Sequence, residues 1–497
     1  MKRSVALAFA LFFAFHSSGL ANVHGRTQAA SQSAPVAIAG DWLGVLTVQG
    51  LKLRLALRVS RSDNGVLTAK LDSLDQGARD LPVEEIVHDG DTVRFASKRL
   101  GLSYTGTLAR GSSIIRGEMT QGGATMTLNF ERVASIPALK RSQEPVKPYG
   151  YVEHEVRYTN KKDQAELAGT LTIPAGTGPH PAVVLITGSG AQDRDETIAG
   201  HRPFLVLADY LTRRGIAVLR ADDRGVGASS AAASTDTSLT YAGDVLAAVE
   251  FLKQRSDIVP QKIGLIGHSE GGMIAAMAAA RSRDVAFVVM MAGIGRTGEE
   301  VILAQTELMQ RKYGVEPELI EVTRTTLKDV FQALRTEPNA GVALEQMRAV
   351  LDERAAAMPE GGRQMFEGVR NTLLPQLRMY TTAWFRFFLD YDPAPDLRGL
   401  RVPLLAVTGE LDVQAPPREN LQRIQAAARA EGNQHVTVRE LTGLNHLLQT
   451  AKTGLPDEYS TIEETFAPTA LELIAQWIQK SVASGAGSRV GRIPASE

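Results

Sequence analysis

The chain has 497 residues, 44% of them apolar and 22% charged, an ordinary globular balance with material for about three domains. Its formal charge of -1 comes with no basic stripe and no acidic tail, so nothing in it asks for nucleic acid as a partner. Cysteine is absent, which excludes disulfides, thiolate metal sites, a cysteine nucleophile and a lipidated amino-terminal cysteine.

Residues 1–21 read as a signal peptide. Lys2 and Arg3 give a positive start, Val5–Phe15 is an unbroken apolar stretch, and Gly19-Leu20-Ala21 offers small residues for cleavage. A membrane anchor is the rival reading, but the run is too short to cross about 30 Å of hydrocarbon. The expected destination is the periplasm or the exterior, with no stable membrane span after cleavage. A Ser/Ala/Gln-rich connector fills 22–37.

An all-β domain is expected over 38–133. From Leu51 to Val59 leucine or valine recurs at every second position, the period of a strand with one buried face. Shorter alternations follow at Thr92–Ala96, Tyr104–Leu108 and Met126–Phe130, punctuated by Asp63-Asn64-Gly65, Asp89-Gly90 and Gly122-Gly123. This pattern suits an antiparallel barrel or sandwich. Pro137, Pro145 and Pro148 mark 134–150 as a linker.

Over 151–480 strands alternate with helices, the mark of a parallel sheet covered on both faces. Strands are expected at Ala182–Ile186, Ile216–Leu219, Ile263–Ile266, Val285–Met291, Leu404–Val407 and Val436–Leu441. Helices are expected at Pro203–Arg214 and Tyr241–Arg255. The alternation is interrupted at about 294–395 by helix-forming sequence broken at Gly314, Pro338 and Pro359. A Gly/Ser-rich stretch, 481–497, reads as a flexible tail.

Ser269 lies in Gly267-His268-Ser269-Glu270-Gly271, between the apolar run Ile263–Ile266 and the Ala-rich stretch Met273–Ala280. Strand, tight turn and helix would lift its hydroxyl out of the sheet, as an activated nucleophile requires. Such a serine needs a base, and the base needs a carboxylate to fix its tautomer. At the top of a sheet of this kind, acid and then histidine follow the serine in the chain. His446 sits in the loop beyond Val436–Leu441, whereas His435 only opens that strand, so His446 is the chosen base. Asp412 follows Leu404–Val407 and is the chosen acid, with Glu410 its nearest rival. The oxyanion needs two N–H donors. One is assigned to Glu270, whose carboxylate should point away, and one to Ser189 in Thr187-Gly188-Ser189-Gly190, with Gly190 as alternative. That Gly/Ser turn lacks the Lys-Ser/Thr ending of a phosphate loop. Asp223-Arg224-Gly225-Val226-Gly227 is expected to pin neighbouring loops, and Trp384, Phe385, Phe387 and Phe388 either to fill a core or to wall a substrate pocket.

These segments, together with Gly188–Asp195 and Asn445-His446, occur in an order and spacing that resembles the α/β-hydrolase superfamily. The likeness covers roughly Tyr151 to Lys480 and lies close to bacterial exported esterases and serine-aminopeptidase-like hydrolases. It implies an α/β fold with a mostly parallel sheet, a triad of Ser269, Asp412 and His446, and a helical cap at about 294–395. Many relatives carry His-Gly where this chain has Thr187-Gly188, a change that leaves the backbone donors intact. The leading function is cleavage of carboxylic esters through an acyl-serine, with a small-molecule acyl ester as substrate. A serine peptidase, a thioesterase and a non-catalytic binding protein are the alternatives. No pattern demands a metal or an organic cofactor, and the oligomeric state is left open.

Overall fold

The structure, a computed structural model, describes residues 38–48, 51–62, 64–74, 78–98, 100–121, 124–137 and 141–483. The expected signal peptide, the connector and residues 484–497 of the expected tail lie outside the described residues.

Ten strands build the amino-terminal domain. They are β1 (Gly40–Val48), β2 (Leu51–Arg61), β3 (Leu67–Ser73), β4 (Ala78–Val83) and β5 (Glu85–Asp89), then β6 (Thr92–Ser97), β7 (Leu102–Thr107), β8 (Ile114–Gln121), β9 (Ala124–Thr127) and β10 (Phe130–Val133). They pair antiparallel in the order β4-β3-β2-β1-β10-β8-β7-β6-β5, with β9 on β8. The ends of this sheet approach each other, so it curls into a near-barrel. Strand alternation sends Trp42, Phe95, Tyr104 and Phe130 inward. Phe95 stacks on Tyr104 at 4.7 Å between ring centroids, and Phe130 meets Tyr104 edge-on at 5.4 Å. The two polar tips are satisfied, Trp42 Nε1 donating to the Ile38 carbonyl and the Tyr104 hydroxyl to that of Leu128.

The linker is fastened to the second domain. Arg141 donates to the carbonyls of Gly200 and Ile462, and Gln143 accepts from the amides of Thr465 and Phe466.

The second sheet has eight strands. An antiparallel pair, β11 (Val152–Asn160) and β12 (Ala165–Ile173), forms one edge. The strands β13 (His180–Ile186), β14 (Ala217–Ala221), β15 (Ile258–His268), β16 (Val288–Met291), β17 (Leu404–Gly409) and β18 (Val436–Leu441) run parallel, in the order β11-β12-β14-β13-β15-β16-β17-β18. Helices α1 (Pro203–Thr212) and α12 (Pro468–Ala483) cover one face; α2 (Ser238–Lys253), α3 (Glu270–Ala280) and α11 (Pro417–Arg429) cover the other. The strand order reverses beside β13, which places the open crevice of such a sheet between the carboxyl ends of β13 and β15.

Between β16 and β17 rise α4 (Gly298–Lys312), α5 (Pro317–Thr336), α6 (Ala340–Ala357), α7 (Glu360–Leu373), α8 (Leu377–Tyr380) and α9 (Ala383–Asp390). They have their own core around Phe331, Met347, Phe366 and Phe385. The following α10 (Ala394–Gly399) packs instead against α3 and α11, in the body of the domain. Gly314, Pro338 and Pro359 do fall at the breaks between these helices.

Candidate active site

Ser269 stands between β15 and α3 with φ of 54° and ψ of -118°, a left-handed conformation that a non-glycine residue holds only under constraint. The constraint is steric and local. A Cβ on Gly267 would lie 1.9 Å from the Gly271 carbonyl oxygen, so the bend closes only with glycine there. The Ser269 amide donates to Met291 of β16 and its carbonyl accepts from Gly272. The half-buried side chain is thereby held above the sheet, at the positive end of α3.

Asp412 and His446 come from the loops after β17 and β18. These loops touch so closely that a Cβ on Gly409 would lie 2.1 Å from the Leu444 carbonyl oxygen. Asp412 is buried and accepts from the amides of Gln414 and Ala415, each at 2.8 Å, and from the Thr408 hydroxyl. Its carboxylate lies 2.9 Å from His446 Nδ1. A carboxylate so placed can only accept, so Nδ1 carries the proton and Nε2 is left with its lone pair. Asn445 shapes the turn, its Oδ1 accepting from the amides of Leu447 and Gln449. The rivals stand apart. His435 is exposed at the amino end of β18, the opposite edge of the sheet, and Glu410 is exposed and accepts from the Gly443 amide.

His268, the residue before the nucleophile, connects the two halves. Its ring lies 4.8 Å from that of His446, and its Nε2 is 3.0 Å from the His446 carbonyl oxygen. Its Nδ1 is 2.9 Å from Oε1 of the buried Glu196. Both ring nitrogens therefore face acceptors, which suits an imidazolium. Burial works against that charge, but Glu196, the His446 carbonyl and Asp412 outweigh it and raise the His268 pKa. Glu196 Oε1 also accepts from the Gly188 amide at 2.8 Å. That bond occupies the Gly188 N–H and leaves those of Ser189 and Gly190 as the loop's donors. Neither the motif around His268 nor the run Gly188–Asp195 points to this buried pair, because its partners are 72 residues apart.

The Glu270 side chain turns inward. Its Oε1 accepts from Ser238 of α2 at 2.6 Å and from Trp384 Nε1 of α9 at 2.9 Å. The aromatic group of α9 divides its labour: Phe385 belongs to the cap core, Phe388 packs on Met273 and Ile294 of the body, and Trp384 reaches the turn. Asp223 and Arg224 hold loops. Asp223 accepts from the Thr187 hydroxyl and the Gln192 amide, while Arg224 pairs with Asp163, Asp236 and Asp244.

A serine on a strained strand-to-helix turn, over a parallel sheet with an Asp–His pair on later loops, defines a class of hydrolytic fold. Residues 183–453 match the model of the alpha/beta hydrolase family, more than half the chain, and the chain belongs to that family. It is 27% identical over 315 residues to the esterase EstD of Thermotoga maritima, an alignment covering 63% of this chain and 66% of that enzyme's length. An uncharacterized 31.7 kDa protein from the traX-finO intergenic region of Escherichia coli is 23% identical over 277 residues, covering 55% of this chain and 87% of that one. Among solved structures, the alpha/beta hydrolase GrgF from Penicillium sp. sh18 aligns with 67% of this chain and 99% of its own, with a TM-score of 0.41 and 17% identity. Among the described residues no helix is long and apolar enough to cross a membrane, and no group of three or more His, Cys, Asp or Glu side chains is placed to hold a metal.

Proposed function

We propose that the chain is a carboxylic-ester hydrolase working through an acyl-serine at Ser269, on a small-molecule acyl ester. The observation that carries this reading is the 2.9 Å contact between His446 Nδ1 and Asp412, which leaves Nε2 basic on a residue beside the Ser269 turn. The family and the similarity to an esterase support it.

Ser269 Oγ attacks the ester carbonyl while His446 Nε2 takes its proton, and Asp412 stabilises the imidazolium that forms. The amides of Glu270 and Ser189 hold the oxyanion, where each such donor is worth about a hundredfold or more in rate. His446 then gives its proton to the departing alcohol. Water, activated by the same imidazole, attacks the acyl-serine and releases the carboxylic acid. No buried cation or cofactor is required by these steps.

Hydrolysis of p-nitrophenyl butyrate tests this. Ser269→Ala should lower kcat/KM on the order of 10⁴-fold or more, and retention of the rate refutes the proposal. Presenting one acyl group as ester and as anilide separates an esterase from a peptidase; the ester should turn over faster by a wide margin. The positive, apolar, small-residue order of residues 1–21 supports export, so the amino terminus of the mature protein should follow Ala21.

A further inference from the structure

The carboxylates on the β13–β14 side of Ser269 are unequally balanced. A cavity of about 60 Å³ lies there, lined by Gly188 and Gly190, Asp223, Tyr241 of α2, Glu270 and Trp384. It has room for a few water-sized groups and none for a whole acyl chain. It adjoins the nucleophile: Glu270 is the next residue, and a Cβ on Gly188 would lie 3.4 Å from that of Ser269.

The charges around it sort into two groups. Asp222 meets Arg194 at 2.7 Å, Asp244 meets Arg224 at 2.7 Å, and Glu196 meets His268 at 2.9 Å. Arg224 is fully engaged, since it also meets Asp163 and Asp236. Among the described residues Asp223 and Glu270 alone on this cavity's wall have no cationic partner. Glu270 is 1% exposed, and its Oε2 has no hydrogen-bond partner. The Ser189 hydroxyl acts on the same carboxyl from the oxyanion loop. Asp223 keeps some surface exposure, but its carboxyl group is enclosed. Burial first, then the charges of Glu196 and Glu270, push its pKa up to about 8 against the bonds from Gln192 and Thr187. Burial raises the Glu270 pKa as well, against the bonds from Ser238 and Trp384 and the influence of the nearby Ser189 hydroxyl.

Two enclosed carboxyls short of a positive charge, beside an indole and a phenol ring, are surroundings that an organic ammonium stabilises by ion pairing and by contact with the aromatic faces. Among the described residues no group of three or more His, Cys, Asp or Glu side chains is placed to hold a metal ion here. We propose that this cavity is a subsite for a primary ammonium group, paired by Asp223 and Glu270 and walled by Tyr241 and Trp384. The substrates of the site then carry a free amine close to the carbonyl that Ser269 attacks. Only that last step rests on the ester-hydrolase reading.

The test is calorimetric titration of n-butylammonium chloride into the full chain carrying Ser269→Ala, with n-butanol and potassium chloride as controls. It reads binding without turnover, so a failure of the hydrolase reading leaves its result unchanged. The expected result is saturable binding of butylammonium, at least about tenfold tighter than butanol and indifferent to potassium. Adding Asp223→Asn should weaken it about tenfold or more. Binding should also release a proton from Asp223, so that the heat depends on the ionisation enthalpy of the buffer; this readout needs no second substitution and serves if the doubly substituted chain does not fold. Absence of binding, equal binding of butanol, equal competition by potassium, or binding without proton release overturns the proposal, as does binding untouched by Asp223→Asn in a folded chain.

Discussion

The carboxyl edge of the central sheet carries an enclosed acid on each side of Ser269, and their surroundings are opposite. Asp412, past β17, is met by two backbone amides, a hydroxyl and the His446 ring. Asp223, past β14, is met by neutral donors only and shares its cavity with a second carboxyl, Glu270. On the first side the donors suit a carboxylate facing the imidazole that the proposed reaction would protonate. On the second side no cation is supplied, so Asp223 keeps its proton until a ligand brings the counter-charge. Burial of an acid is thus no signature of one role; the partners decide it.

The comparison breaks most visibly at Asp412. An asparagine there can donate to His446 Nδ1 and so favour the wrong tautomer, and Asp412→Asn should lower kcat on the order of 10⁴-fold with little change in KM. Steady-state kinetics on a chromogenic ester reads this directly. Next in size is Glu196→Ala, which strips the counter-charge from His268 and the acceptor from the Gly188 amide. Its kcat should fall on the order of tenfold to a hundredfold, less than the loss of an oxyanion donor, together with a lower Tm.

The second side is sharpened by pH. In the unfolded chain an aspartate ionises near pH 3.9, whereas in the folded protein Asp223 ionises at about 8. The folded state therefore holds the extra proton between these values, and this residue's contribution to stability is lost as pH rises from about 4 to about 8. Thermal melts at pH 5 and pH 9 should lie closer together in Asp223→Asn than in the parent chain; an unchanged gap contradicts the assignment. The smallest effect is expected from Trp384→Phe, which removes one hydrogen bond to Glu270 worth about 1 kcal/mol and should change KM several-fold.

Much of this arrangement is legible in the chain because strand ends in a parallel sheet all face one way. Once Leu404–Val407 and Val436–Leu441 read as strands, Asp412 and His446 fall on the same edge as Ser269, and His435 on the other. The cap helices are legible for a different reason, since Gly314, Pro338 and Pro359 interrupt them. The antiparallel pair β11–β12 is not announced, as its residues alternate weakly and its place follows from pairing with β14. The choice between barrel and sandwich likewise depends on β1 meeting β10, a contact across most of the amino-terminal domain. The inward turn of Glu270 was hidden too. Its sequence position speaks for its amide, while the fate of its carboxyl is set by Ser238 and Trp384, which lie 32 residues before it and 114 after it.

The central claim is that Ser269 is activated by His446. Labelling with a fluorophosphonate, followed by mass spectrometry of the modified peptide, tests it most directly. The probe should attach at Ser269 in the parent chain, and His446→Gln should slow that attachment on the order of a thousandfold or more. Attachment at another residue, or an undiminished rate at Ser269 in His446→Gln, contradicts it.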